Sequence, residues 1–273
     1  MQVRVVALVT NIPGPLAASR LAELGARVVK VEPVAGDPLS TAAPSWYADL
    51  TRKVRVVRLD LRYEKSRAEL DRMIGEAELL LTSMRVSALS RLALDWERVH
   101  LRFPDLCHVA ISGEAAPNDD RAGHDLTYQA RAGLLAPPSM PRTVYADLFA
   151  AERAVSAAIT ALYERDRSGV ATRHDVAIAE GAAMLADASR YGLTAADGPL
   201  SGALPIYRLY RTSDGWIALA ALEAHFQGRL QEALQLDALD APALEARFVQ
   251  HPNAHWEDVA AHYDLPLAPV SQT

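Results

Sequence analysis

The sequence predicts an α/β domain followed by a smaller α+β domain, on three observations. First, Val3 to Val9 is a nearly continuous apolar run, Leu16 to Leu24 has apolar residues at helical spacing, and Arg27-Val-Val-Lys-Val31 is a second apolar run. Strand, turn, helix and strand in that order make a βαβ unit, and runs this apolar suit buried parallel strands. Second, strand-like and helix-like stretches keep alternating as far as Tyr191. Third, the alternation stops after Asp197-Gly-Pro199 and Ser201-Gly202. Beyond them, Tyr207 to Thr212 and Trp216 to Ala220 flank an Asp214-Gly215 turn and read as a hairpin, with helices behind it. A boundary near Gly198 divides the chain into domains 1–197 and 198–273.

Taken in order, Asn11-Ile-Pro-Gly-Pro15 is expected to be a tight turn, and Gly25 to stand just past the end of the first helix. Gly36 to Leu50 reads as a loop. Arg52 to Leu61 alternates like a strand, with basic residues gathered at one end. Glu64 to Ile74 reads as a helix, Ala77 to Leu81 as a strand, and Ser83-Met84-Arg85 as the loop after it. Helical patterns continue to Phe103, and Leu106 to Ile111 is another strand. Pro137-Pro138 and Pro141 keep the next segment out of helix, so it is expected to be an ordered loop. Leu148 to Tyr163 is an alanine-rich run that reads as a long buried helix. A charged turn closing on Gly169, a strand from Thr172 to Ile178 and a helix from Ala179 to Tyr191 follow. In the small domain, helices are expected at 224–234, 241–248 and 253–263.

Composition excludes several functions. The chain has 273 residues, half of them hydrophobic, and a net charge of −6, which argues against a nucleic-acid surface. Cys107 is the single cysteine, so neither a disulfide framework nor a cysteine metal cluster is expected. Arg4 interrupts the apolar start and no apolar run is long enough for a bilayer, so a cytoplasmic protein without membrane contact is expected. Glu32 ends the second strand where a ribose-binding acid would stand. The turn before it is Pro13-Gly14-Pro15, however, and prolines remove the N–H groups a dinucleotide pyrophosphate needs. His251 and His255 have the spacing of a helical metal pair, but Pro252 places His251 outside the helix and no third ligand is evident.

The chemistry-bearing stretch is Ala122-Gly-His-Asp-Leu-Thr-Tyr128, read with Tyr145-Ala-Asp147. The proline-containing segment between them can fold back and bring the His124 imidazole to the Asp147 carboxyl. At the start of the alanine-rich helix, that carboxyl is expected to be favoured as the anion by the terminal N–H groups and the dipole. The same residues also read as a plain helix start and an N-cap. Arg85, at the carboxyl end of a strand, and the Arg52–Arg58 stretch are candidate sites for ligand phosphates, and a solvated basic edge is the alternative.

Several stretches together resemble the family III CoA-transferases, a group that includes the α-methylacyl-CoA racemases. They are Pro13-Gly-Pro-Leu-Ala-Ala18, Leu21-Ala-Glu-Leu-Gly-Ala-Arg-Val-Val-Lys-Val-Glu-Pro33, Gly36-Asp-Pro-Leu39, Val57-Arg-Leu-Asp-Leu61 and Phe103-Pro-Asp-Leu106. Gly123 to Tyr128, Ala146-Asp-Leu148 and Leu222-Glu223 are most similar to the racemase branch. The resemblance implies a Rossmann-like large domain, a small domain and an interlocked homodimer. It implies an acyl-CoA substrate whose CoA is the only cofactor, with His124 and Asp147 as two bases and Glu223 beside them. Arg52, Arg55 and Arg85, with Asp125 and Tyr128, are then expected to hold CoA. The implied reaction is inversion at the α-carbon of a (2-methyl)acyl-CoA. The alternatives are CoA transfer through an Asp147 anhydride, or acyl-CoA binding without catalysis. Three departures bear on this choice. Leu148-Phe-Ala-Ala-Glu152 replaces glycines after Asp147 and is expected to narrow the space beside a thioester. Ser201-Gly202-Ala203 is shorter than the family's glycine-rich loop, and a further segment is expected after Pro269-Val270.

Overall fold

The computed structural model describes residues 3–271 and divides into two compact units, Met1–Ala186 and Asp187–Thr273. The division falls ahead of Gly198, because the short helix Asp187–Arg190 groups with the second unit.

The first unit is built on six parallel strands. They are β1 (Arg4–Leu8), β2 (Arg27–Glu32), β3 (Arg55–Arg58), β4 (Leu79–Thr82), β5 (Cys107–Ser112) and β6 (Arg173–Ala177). Their order in the sheet is β3-β2-β1-β4-β5-β6. The chain steps outward from β1 to β3, then returns to pair β4 with the other side of β1. The segments leaving β1 and β4 therefore diverge, and such a switch point is where open parallel sheets bind ligands. Successive side chains alternate between the two faces. Val5, Ala7 and Val9 join one core with Leu79, Leu81, Val109 and Ile111, while Val6 and Leu8 join another with Leu70, Ile74 and Leu80.

The long helix Tyr145–Ser168 covers the first of these faces. Ala146, Ala150, Ala154, Ala158 and Ala161 are fully buried, at spacings of three and four residues that put them on one stripe. Methyl-sized side chains let its backbone approach the sheet, and the Cys107 thiol reaches the Ala161 carbonyl at 3.4 Å. Cys107 is thus a small buried group, as expected from its apolar neighbours.

Local chemistry overrode the expected boundaries in three places. The first helix, Pro13–Glu23, begins at the prolines rather than after them. Proline at a first helical position loses only an N–H that would be unpaired anyway. The turn is made instead by Asn11, at φ 67°. Between Leu39 and Thr51 two short helices replace the expected loop, the second opening on Pro44. β3 keeps only four residues of the run from Arg52 to Leu61, because Asp60 turns back to accept from Arg62.

The second unit contains a three-stranded antiparallel sheet of β7 (Tyr207–Arg211), β8 (Trp216–Ala220) and β9 (Leu267–Pro269). The Asp214-Gly215 hairpin is present, and the Asp214 carboxylate also accepts from the Asn253 N–H at 2.8 Å, tying the turn to the helix Asn253–Tyr263. β9 is absent from the sequence-based reading, since three residues between prolines carry no periodicity. Tyr210, Ile217, Leu230, Phe248 and Trp256 form this unit's own core. Among the described residues no helix is long and apolar enough to cross a membrane.

Candidate active site

A cavity of about 250 Å³ opens at the switch point. Thr10 and Asn11 after β1, Ser83 to Arg85 after β4, and Ile111 to Gly113 at the end of β5 form its floor. Arg121 to His124, Tyr128 and Asp147 also line it. The first helix can start this close to the strands because residue 14 is glycine: a Cβ there would lie 2.5 Å from the Val9 Cβ.

His124 is the N-cap residue of the helix Asp125–Ala132, in extended conformation at φ −140°. Its N–H donates to the Thr127 hydroxyl at 3.1 Å, and that hydroxyl donates to the His124 carbonyl at 2.7 Å. Helix capping thus fixes the backbone and leaves the imidazole on the exposed side of the cavity wall.

Asp125, the next residue, is buried and its carboxylate is fully used. It accepts from the backbone N–H groups of Ala146 at 2.9 Å and Asp147 at 3.1 Å, and from the Gln129 amide. It therefore pins one helix start to the other. Gln129 has a further unpaired carbonyl oxygen sealed in the same place.

Asp147 lies in the first turn of the long helix, with Val144 at the N-cap. The N–H groups that would favour its anion are occupied by Asp125, and no hydrogen bond to its own carboxyl forms among the described residues. Burial, and then the Asp125 charge, push the Asp147 carboxyl up to about 7. This reverses the direction expected from the helix dipole. The charged competitor stands one residue past His124, and only folding brings it there.

Leu148 and Phe149 do not line the cavity. The Phe149 ring packs toward Gly181, whose Cβ would lie 3.2 Å from it. The narrowing expected from the lost glycines therefore does not occur on this wall.

The expected basic residues separate. Arg85, the N-cap residue of Val86–Arg91, stands exposed at the cavity rim and makes no ion pair among the described residues. Arg52 instead pairs with Asp49, and Arg55 opens β3 at its amino end, whereas the cavity lies at the carboxyl ends. Neither lines this cavity: the β3 alternation located a strand but not which end faced it. Arg121, which the sequence reading missed, lies on the rim 4.0 Å from Glu114. Nothing distinguishes it in sequence from other exposed loop arginines.

A second cavity, of about 760 Å³ and mostly apolar, runs over the carboxyl ends of β1, β2 and β3 and shares Thr10 and Met84 with the first. Glu32 lies at its base but is engaged by the Lys30 ammonium at 2.7 Å and the Tyr47 hydroxyl at 2.6 Å. Burial would raise Glu32, but the hydrogen bonds from Lys30 and Tyr47 outweigh it and hold the carboxyl below its usual range. Lys30 also bonds Asp37 at 2.5 Å, and Asp37 accepts from the Asn11 N–H at 3.0 Å. This buried group fastens the loop after β1.

Glu223 belongs to the second unit. It is the exposed N-cap residue of the helix Ala224–Leu234, and its carboxyl makes no hydrogen bond or ion pair among the described residues.

The sequence matches the family model of CoA-transferase family III along residues 1–273. The chain belongs to CoA-transferase family III. Relatives of this family III chain include the succinyl-CoA–D-citramalate CoA-transferase of Chloroflexus aurantiacus, 30% identical across 97% of this chain and 71% of that protein. The α-methylacyl-CoA racemase of Mus musculus is also 30% identical, across 94% of this chain and 68% of the racemase. Among solved structures, the hypothetical protein Rv3272 from Mycobacterium tuberculosis shares the fold, with a TM-score of 0.85 at 23% identity, covering 99% of this chain and 84% of that one. The family III chain is thus similar to relatives named for two different reactions.

Proposed function

We propose that this family III protein is an acyl-CoA racemase or epimerase. One observation carries the reading: His124 and Asp147 line the same cavity, and the Asp147 carboxyl is held near neutrality. A general acid–base group works best when its pKa lies near the operating pH. A proton next to a thioester carbonyl is weakly acidic. One of the two groups removes it from one face, the electron pair moves onto the carbonyl oxygen, and the other group returns a proton to the opposite face. Each turnover leaves the proton count unchanged. N–H groups at the start of the helix Asp125–Ala132 are available to the enolate oxygen.

The CoA nucleotide would lie in the larger apolar cavity. Arg58 at the carboxyl end of β3, Arg62 in the loop after it, and Arg85 on the rim of the first cavity are the phosphate donors in this reading. The homodimer implied by the resemblance is part of this proposal, and sedimentation at micromolar concentration tests it. A monomeric mass would exclude a site shared between chains.

The experiment is proton NMR in D₂O with single enantiomers of 2-methylacyl-CoA. Loss of the α-proton signal supports racemisation. His124→Ala should keep exchange from one enantiomer and abolish it from the other, and Asp147→Asn should do the converse.

CoA transfer is the second reading, favoured by the transferase relatives and by an Asp147 carboxyl that makes no hydrogen bond among the described residues. Asp147 would attack the thioester carbonyl, releasing CoA thiolate and forming a mixed anhydride. The thiolate would then form an enzyme thioester and release the first acid. Here Asp147→Asn abolishes activity while His124→Ala reduces it modestly, and CoA moves to a free acid without loss of the α-proton.

A further inference from the structure

Tyr128 is 3% exposed, and its hydroxyl is wedged between two glycines. A Cβ on Gly113 would come within 2.1 Å of the hydroxyl oxygen, and one on Gly123 within 2.2 Å. Gly113 follows β5, Gly123 precedes His124, and both line the cavity together with Tyr128. The phenol therefore occupies the seam between the strand end and the loop that carries His124.

Its hydroxyl has no hydrogen-bond partner among the described residues. It is not sealed in the interior either, since the sealed side-chain atoms without partners belong to Glu32, His100, His108 and Gln129. Buried phenols ordinarily end on a partner. Tyr128 lines the cavity, so a ligand bound there is in place to supply that partner. Burial and the nearby Glu114 and Asp147 carboxylates raise its pKa, so it keeps its proton and is a donor. The glycines have a corresponding purpose: a side chain at either position would drive the hydroxyl off the cavity wall.

We propose that the Tyr128 hydroxyl donates a hydrogen bond to the acyl carbonyl oxygen of a thioester bound in this cavity. This inference rests on the acyl-CoA reading above. As the α-proton leaves, the electron pair of the C–H bond moves onto that oxygen. The phenol keeps its own proton, and its hydrogen bond strengthens as negative charge builds. An interaction stronger in the transition state than in the ground state raises kcat rather than lowering KM. Tyr128 is thus assigned to the acyl end of the substrate, not to the CoA end where the sequence had placed it.

The test is Tyr128→Phe, which deletes one atom that has no partner among the described residues. Exchange of the α-proton in D₂O should slow about tenfold to a hundredfold at an unchanged KM. Free CoA should bind the variant normally and the thermal midpoint should not fall. Gly113→Ala, which retains the tyrosine but displaces its hydroxyl, should reproduce the kinetic loss. Calorimetry with an acyl-CoA and with the matching thioether, which lacks the carbonyl oxygen, isolates the contact. The wild type should prefer the thioester, and Tyr128→Phe should lose most of that preference. An unchanged exchange rate, or an equal thioester preference in both proteins, overturns the proposal and leaves the acyl-CoA reading standing. If the wild type binds neither compound, both fall.

Discussion

Replacing Asp147 by asparagine should stabilise the protein above neutral pH. The carboxyl carries an ordinary value of 3.8 when unfolded and about 7 when folded. Below pH 3.8 both states hold the proton and the group favours neither. As pH rises toward 7, the unfolded chain ionises while the folded carboxyl still holds its proton, so stability is lost at about 1.4 kcal/mol per pH unit. Above 7 both forms are ionised and the penalty stays constant. The shift corresponds to an upper bound of about 4 kcal/mol, and because one side of Asp147 opens on solvent a value of about 1–3 kcal/mol is expected. Asparagine carries no charge to bury, and the native carboxyl makes no hydrogen bond among the described residues. Urea denaturation at pH 5 and pH 8, at a shared m-value, measures the difference. The advantage of Asp147→Asn should grow by about 1–2 kcal/mol between these two conditions. An advantage independent of pH, or a variant less stable than wild type at pH 8, would refute the reasoning that burial and Asp125 hold this carboxyl high.

Three further outcomes are expected. Asp125→Asn removes the charge beside Asp147 and should move the basic limb of the pH–rate profile to lower pH, while weakening the anchor between the two helix starts by about 1–3 kcal/mol; an unmoved profile would mean that burial alone sets Asp147. His108 is fully buried, touches Thr82 at 3.0 Å, and is pushed from 6.5 down to about 3 by burial and then by Arg173. Its folded pKa is depressed, so stability is full above pH 6.5 and falls by about 1.4 kcal/mol per unit on acidification toward 3; denaturation of His108→Gln should show a shallower acid slope than wild type. Arg85→Ala should weaken CoA binding by about tenfold or more in calorimetry, because a charge-assisted hydrogen bond contributes about 1.5–3 kcal/mol. Arg52→Ala and Arg55→Ala should leave CoA binding unchanged.

The sequence alone determined the alternation of strand and helix, the hairpin at Asp214-Gly215 and the segments holding His124 and Asp147. Each depends on interactions a few residues long: apolar periodicity, turn chemistry and helix starts. It also indicated the family, through motifs whose order survives from Pro13 to Glu223. Only tertiary structure decided which residues share the cavity and in what electrostatic state. Parallel pairing put Arg58, and not Arg55, at the carboxyl end of β3. Folding put the Asp125 carboxylate onto the N–H groups of the long helix, turning Asp147 from a favoured anion into a carboxyl near neutrality. The same packing wedged the Tyr128 hydroxyl between Gly113 and Gly123, ten residues apart in the chain. Desolvation and charge coupling depend on distance in space, and sequence spacing does not encode that distance once the chain has turned back on itself.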